Sequence, residues 1–95
     1  MFRRRNGKSK VKSFCYVIKD EIGLHARPAG MVAKAAKDLD AAVSISCNGK
    51  TVDATRLMAL IGLGVKHGNE VTVTVEGGDE EAAYTTMKEL FQENI

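Results

Sequence analysis

Residues 13–19, Ser-Phe-Cys-Tyr-Val-Ile-Lys, alternate in character, with Phe14, Tyr16 and Ile18 on one side and Ser13, Cys15, Val17 and Lys19 on the other. A period of two predicts a strand with one buried face. Asp20–Leu24 breaks the alternation and reads as a loop. From Ala26 to Leu39 the period becomes helical: Ala29, Val32, Ala33 and Ala36 fall on one face, Lys34, Lys37 and Asp38 on the other. Pro28 lies in the first turn, where its missing N–H costs nothing. Val43, Ile45 and Cys47 alternate with Ser44 and Ser46 and predict a second strand, followed by Asn48-Gly49 and a third run, Lys50–Asp53. Asn-Gly between two such runs predicts a hairpin, because both central residues of a type I′ turn need positive φ.

Residues 55–63 are apolar with good helix formers and predict a short helix ending at Gly62 or Gly64, with Thr55 as its candidate cap. Glu70–Glu76 alternates cleanly around Val71, Val73 and Val75. After Gly77-Gly78, Asp79 reads as the N-cap of a last helix reaching about Glu93, with Ala83, Met87, Leu90 and Phe91 inward and Glu80 and Glu81 against the dipole. The order β-α-β-β-α-β-α predicts an α+β domain: a four-stranded antiparallel sheet with helices on one face and water on the other.

With 95 residues there is room for one core and one domain. Apolar residues at 44% and charged residues at 27% argue against disorder. No apolar run approaches the roughly 20 residues of a membrane span, so no membrane insertion is expected. Five aromatics and no Trp argue against a base-stacking surface for nucleic acid. The net charge of +2 hides an asymmetry. Residues 1–12 hold Arg3, Arg4, Arg5, Lys8, Lys10 and Lys12 with no acid, whereas residues 13–95 hold eight Lys or Arg against twelve Asp or Glu. The first twelve residues therefore read as a basic, disordered tail on a mildly acidic domain at 13–95. Cys15 and Cys47 make neither a disulfide framework nor a zinc site and are expected as free, small strand hydrophobes in a reducing cytoplasm. No metal is expected, and no cofactor loop is present.

One constellation carries chemistry: Gly23-Leu24-His25-Ala26-Arg27-Pro28-Ala29. It sets His25 at a helix N-terminus with Arg27 two residues on. The first turn of a helix has unpaired N–H groups and partial positive charge, and it binds phosphate readily. That field disfavours a cation, and a neutral imidazole is a nucleophile able to take a phosphoryl group. The new dianion would then meet first-turn amides and the guanidinium of Arg27. Taken by itself, His-x-Arg is also compatible with an exposed His that merely begins a helix. His67 sits in a turn without a carboxylate or second His nearby and reads as a surface residue.

The segment Gly23–Ala29 resembles the active-site signature of the HPr family, the histidine-containing phosphocarriers of the bacterial phosphoenolpyruvate:sugar phosphotransferase system. Asn48–Val52, Leu63–Gly68 and Gly77–Ala82 resemble that family's hairpin, the segment before its last strand and its last-helix start, so the resemblance covers about residues 13–93. It implies an open-faced β-sandwich and a carrier, not an enzyme in the strict sense. It also implies a phosphoryl group accepted at Nδ1 of His25 from phosphorylated Enzyme I and passed to IIA components of sugar permeases. Arg27 and the backbone N–H groups of Ala26 and Arg27 would stabilise the phosphate. Leu57, Met58 and Ile61 match the family's docking positions on the short helix, leaving Leu60 for the core. A monomer working in the cytoplasm, with no cofactor, is expected.

One position departs from the pattern. Where Gram-positive members carry a regulatory Ser, this chain has Arg56, preceded by Thr55. Arginine takes no phosphate, so serine-type regulation is not expected. Two alternatives stay open: a paralogue serving a regulatory relay, such as a nitrogen-related one, and a non-catalytic interaction module acting through its tail.

Overall fold

The computed structural model describes residues 11–95. They form β1 (Val11–Val17), α1 (Ala26–Asp38), β2 (Ala42–Cys47), β3 (Lys50–Asp53), α2 (Leu57–Gly62), β4 (Glu70–Glu76) and α3 (Glu80–Asn94), the expected order. The strands make one antiparallel sheet in the order β1-β4-β2-β3. The helices cover one face, which gives the α+β open-faced sandwich.

The register explains the layers. β4 lies between β1 and β2, and its Val71, Val73 and Val75 are buried beneath the helices. Ile45 of β2 pairs with Val73 and is fully buried with it. From the helix side, Val32 of α1, Leu60 of α2 and Met87 and Phe91 of α3 complete the core. β1 is joined to α3 by an aromatic cluster. Phe14 meets Tyr84 and Phe91 edge-on at 5.5 and 6.0 Å between centroids, and Tyr16 meets Phe91 at 5.6 Å. Such edge-to-face pairs add about 0.5–1.5 kcal/mol each beyond their burial. The other face of the sheet carries Ser13, Thr74 and Ser44 across one row and Cys15, Thr72 and Ser46 across the next. Those small, mostly hydroxylic side chains are what a solvated sheet face requires.

Three local expectations change. β1 begins at Val11, two residues before the alternation predicts, because its partner β4 extends to Glu76 and pairs with Val11. It also ends sooner: the Ile18 N–H leaves the ladder to donate to the Asn69 carbonyl at 2.9 Å. The basic tail, apart from Val11 and Lys12, lies outside the described residues. Of the two free cysteines, Cys47 is buried as a small apolar side chain, but Cys15 is exposed on the open face beside the Thr72 hydroxyl at 3.6 Å. An odd position on β1 points away from the helices, so Cys15 cannot join the core.

The third change concerns α2. Thr55 does not cap it; Arg56 occupies the N-cap position and gives no side-chain cap. Asp53 Oδ1 instead accepts the Thr55 backbone N–H at 2.9 Å and the Thr55 hydroxyl at 2.7 Å, an Asx turn that aims the chain into the helix. Those two hydrogen bonds, backbone first, hold the Asp53 carboxyl below its usual value of 3.8. A depressed folded value means stability present above the unfolded value and lost as pH falls through the folded one. Asp53→Ala should therefore be less stable than the parent at neutral pH. The gap should narrow between about pH 5 and about pH 2 in urea titrations; a gap that stays constant would assign the effect to turn geometry alone.

Candidate functional site

Helix α1 starts abruptly. His25, with φ −107° and ψ −171°, is its N-cap in extended conformation, and its side chain makes no capping hydrogen bond. The His25 carbonyl accepts the Ala29 N–H at 2.9 Å, which closes the first turn. Ala26 and Arg27 lie before that bond, so their N–H groups have no acceptor within the helix, and Pro28 has none to offer. The first turn holds no acid and Lys37 sits in the last, so no acid within that turn offsets the positive end of the macrodipole at His25. Pro28 is buried and anchors the turn, whereas Ala26 and Arg27 are exposed.

The approach to His25 is held by a backbone contact. The Leu24 N–H donates to the Val65 carbonyl at 3.0 Å, and the Leu24 side chain is buried in the core. Gly23 adopts φ +91°, and a Cβ there would run into that same Val65 carbonyl and come within 2.7 Å of Lys66 Cα. The first residue of the signature must therefore be glycine for both conformation and space. Asp20 ties down the other end of the loop. Its Oδ1 accepts the Ile22 N–H at 2.9 Å, its carbonyl accepts the Gly23 N–H at 3.0 Å, and its own N–H donates to the Ile95 backbone oxygen at 2.7 Å. His25 Nε2 stands 3.8 Å from Asp20 Oδ1, with the imidazole about one-third exposed.

These residues surround a shallow groove of about 420 Å³, lined by Asp20, Ile22, His25, Arg27, Met31 and Glu93 among others. His25 and Arg27 thus share one surface, as the sequence reading expects. Asp20, Ile22, Met31 and Glu93 were not legible there. Asp20 and Ile22 look like loop residues, and Glu93 reaches the site from the far end of the chain through the seating of α3. Ile22 is 69% exposed, an apolar side chain in solvent beside the groove.

The α2 residues divide by face. Leu60 is fully buried, as expected. Met58 is 76% exposed and Leu57 is partly so. Ile61 is half-buried and packs against the core, so it offers less free surface than its two neighbours. His67 lies exposed in the turn before β4 and is not brought to the groove. Among the described residues no cluster of His, Cys, Asp or Glu has a metal-binding arrangement, and no helix is long and apolar enough to cross a membrane.

Comparison with known proteins bears on this geometry. The family model for the phosphotransferase-system HPr component phosphorylation site matches residues 12–93. The chain belongs to the HPr family. HPr domains are phosphocarriers and not enzymes in the strict sense. Among solved structures, the histidine-containing phosphocarrier protein of Mycoplasma is 32% identical, with a TM-score of 0.81 over 83% of this chain and 90% of that one. HPr from Bacillus anthracis is 30% identical, with a TM-score of 0.79 over 85% and 96%. The catabolite repression protein Crh of Bacillus subtilis is 35% identical, with a TM-score of 0.69 over 79% and 86%, and was solved as a swapped dimer. An exchanged arrangement of this fold is thus seen in one relative of this chain.

Gly23→Ala should cost roughly 1–3 kcal/mol, from positive φ and the clash with Val65 together. The amide shifts of Leu24, His25 and Ala26 should move with it. Unchanged stability in urea titration would show that the Gly23–Val65 approach is not a constraint.

Proposed function

We propose that residues 13–95 form a phosphocarrier domain whose acceptor is Nδ1 of His25. The domain takes a phosphoryl group from phosphorylated Enzyme I and passes it to IIA components of sugar permeases. The observation that carries this reading is the uncapped start of α1, where His25, the open amides of Ala26 and Arg27, and the Arg27 side chain meet at one groove. In the transfer, the P–N bond of the donor phosphohistidine breaks as the Nδ1 lone pair of His25 forms a new P–N bond, in line. The phosphoryl oxygens then accept from the Ala26 and Arg27 N–H groups and pair with the guanidinium. No metal or cofactor is needed for this exchange between two imidazoles.

Leu57 and Met58, with Ile61 at their margin, form the apolar surface on which both partners dock in turn. A small adaptable patch suits encounters that must end quickly. The carrier acts as a monomer in the cytoplasm, where these partners work. Arg56 stands at the regulatory serine position and starts α2 without a hydroxyl, so the kinase-dependent branch is closed at this site. That same residue favours, as a second reading, a paralogue feeding a regulatory relay; transfer to a regulatory IIA alone, and to no sugar-specific IIA, would select it.

Phosphoenolpyruvate with Enzyme I should add one acid-labile phosphate, seen by intact mass at neutral pH and absent from His25→Ala. Retention of that phosphate in the variant would refute the acceptor. Arg27→Ala should slow transfer at least about tenfold with unchanged melting; equal rates would remove Arg27 from the mechanism. Met58→Glu should weaken transfer from Enzyme I on the order of tenfold while stability stays within about 0.5 kcal/mol. Unaffected transfer would place the docking surface elsewhere.

A further inference from the structure

We infer that Asp20 is a positioning residue for His25: its carboxylate sets which ring nitrogen carries the proton and keeps that proton on the ring through transfer. The inference rests on the reading of His25 as the phosphoacceptor and assigns a partner to the ring nitrogen that does not react.

The geometry is specific. Among the described residues, Asp20 is the one acid whose carboxylate lies within 4 Å of a His25 nitrogen, and that nitrogen is Nε2. The other charges lining the groove are Arg27 from α1 and Glu93 from α3. Asp20 is also held rigidly. Three hydrogen bonds, from the Ile22 N–H to its Oδ1, from the Gly23 N–H to its carbonyl and from its own N–H to Ile95, fix both its backbone and its carboxylate. An acceptor fixed before the reaction costs no reorganisation when charge appears.

In a neutral imidazole one nitrogen donates and the other accepts, and the partner of one decides the state of the other. A carboxylate beside Nε2 favours the Nε2–H tautomer, which leaves the lone pair on Nδ1, the nitrogen that attacks. At 3.8 Å the contact is longer than a hydrogen bond, and such contacts commonly tighten only in the reacting complex. When the Nδ1 lone pair forms the P–N bond, the ring keeps its Nε2 proton and becomes cationic. Asp20 then faces a positive ring. In the forward step the P–Nδ1 bond breaks, its electron pair returns to Nδ1, and the ring departs as neutral imidazole with Nε2–H still in place. Were the Nε2 proton lost first, the leaving group would be an imidazolate, which is far poorer. Asp20 thus keeps the phosphorylated ring a good donor, through His25 and not through the phosphate.

The test uses Asp20→Asn, which retains the acceptor for the Ile22 N–H and removes the charge, with Asp20→Ala alongside. Nitrogen-15 shifts of the His25 ring in the unphosphorylated protein report the tautomer. Forward transfer from the phosphorylated protein to a IIA component, followed against pH, reports proton retention. The wild type should hold mainly the Nε2–H form, and Asp20→Asn should shift toward a mixture. Forward transfer near pH 8 should fall roughly threefold or more in Asp20→Asn. Ring shifts and a pH profile that match the wild type would overturn the role of Asp20 while leaving His25 as acceptor. A wild type that takes no phosphate would instead overturn the carrier reading, and the ring shifts alone would still decide whether Asp20 sets the tautomer.

Discussion

The site depends on one backbone contact, the approach of Gly23 to the Val65 carbonyl. That carbonyl receives the Leu24 N–H, and no side chain fits at Gly23 between the two loops. The contact joins the loop before α1 to the segment between α2 and β4. It fixes where α1 begins, and so where the imidazole of His25 and the first-turn amides stand relative to α2. A small shift here would move His25 relative to the exposed Leu57 and Met58 of α2. Site geometry held by backbone hydrogen bonds and a glycine needs no mobile side chain to support it.

The rest of the fold serves the same exposure. A single sheet covered on one face builds a core from Val73, Val75, Ile45, Leu60, Met87 and Phe91, and leaves the ends of α1 and α2 at the surface. His25 is only partly buried and its groove is shallow. An enzyme that excluded water would need an enclosed pocket; a carrier that hands its group into other active sites needs the reverse. Ile22 and Met31 are exposed at the groove, and Leu57 and Met58 are exposed on α2. Under the proposed function they supply a surface that partners can cover.

Much of this was legible along the chain wherever a local rule had no rival. Asn48-Gly49 adopts φ +53° and +81°, as a type I′ hairpin demands. Asp79 caps α3 by accepting the Ala82 N–H at 3.3 Å. Val71, Val73 and Val75 are buried as their alternation requires. Local rules failed where a partner distant in sequence decided the outcome. β1 follows the length of β4 and not its own hydrophobic period. The Thr55 hydroxyl is taken by Asp53 and never reaches the helix amides. Cys15 has the composition of a core residue and the phase of a surface one. At the site, the signature displayed His25, Ala26 and Arg27, but Asp20 had the look of loop punctuation. Its meeting with His25 arises from a turn closed by main-chain hydrogen bonds, which side-chain identities do not reveal.

The central claim is that the phosphoryl group sits on Nδ1 of His25 against the open start of α1. Phosphorus–nitrogen correlation NMR on the phosphorylated protein, with amide shifts recorded before and after, tests it most directly. The account predicts phosphorus coupling to Nδ1 and the largest amide changes at Ala26 and Arg27. Coupling to Nε2, or amides of Ala26 and Arg27 that do not move, would contradict it.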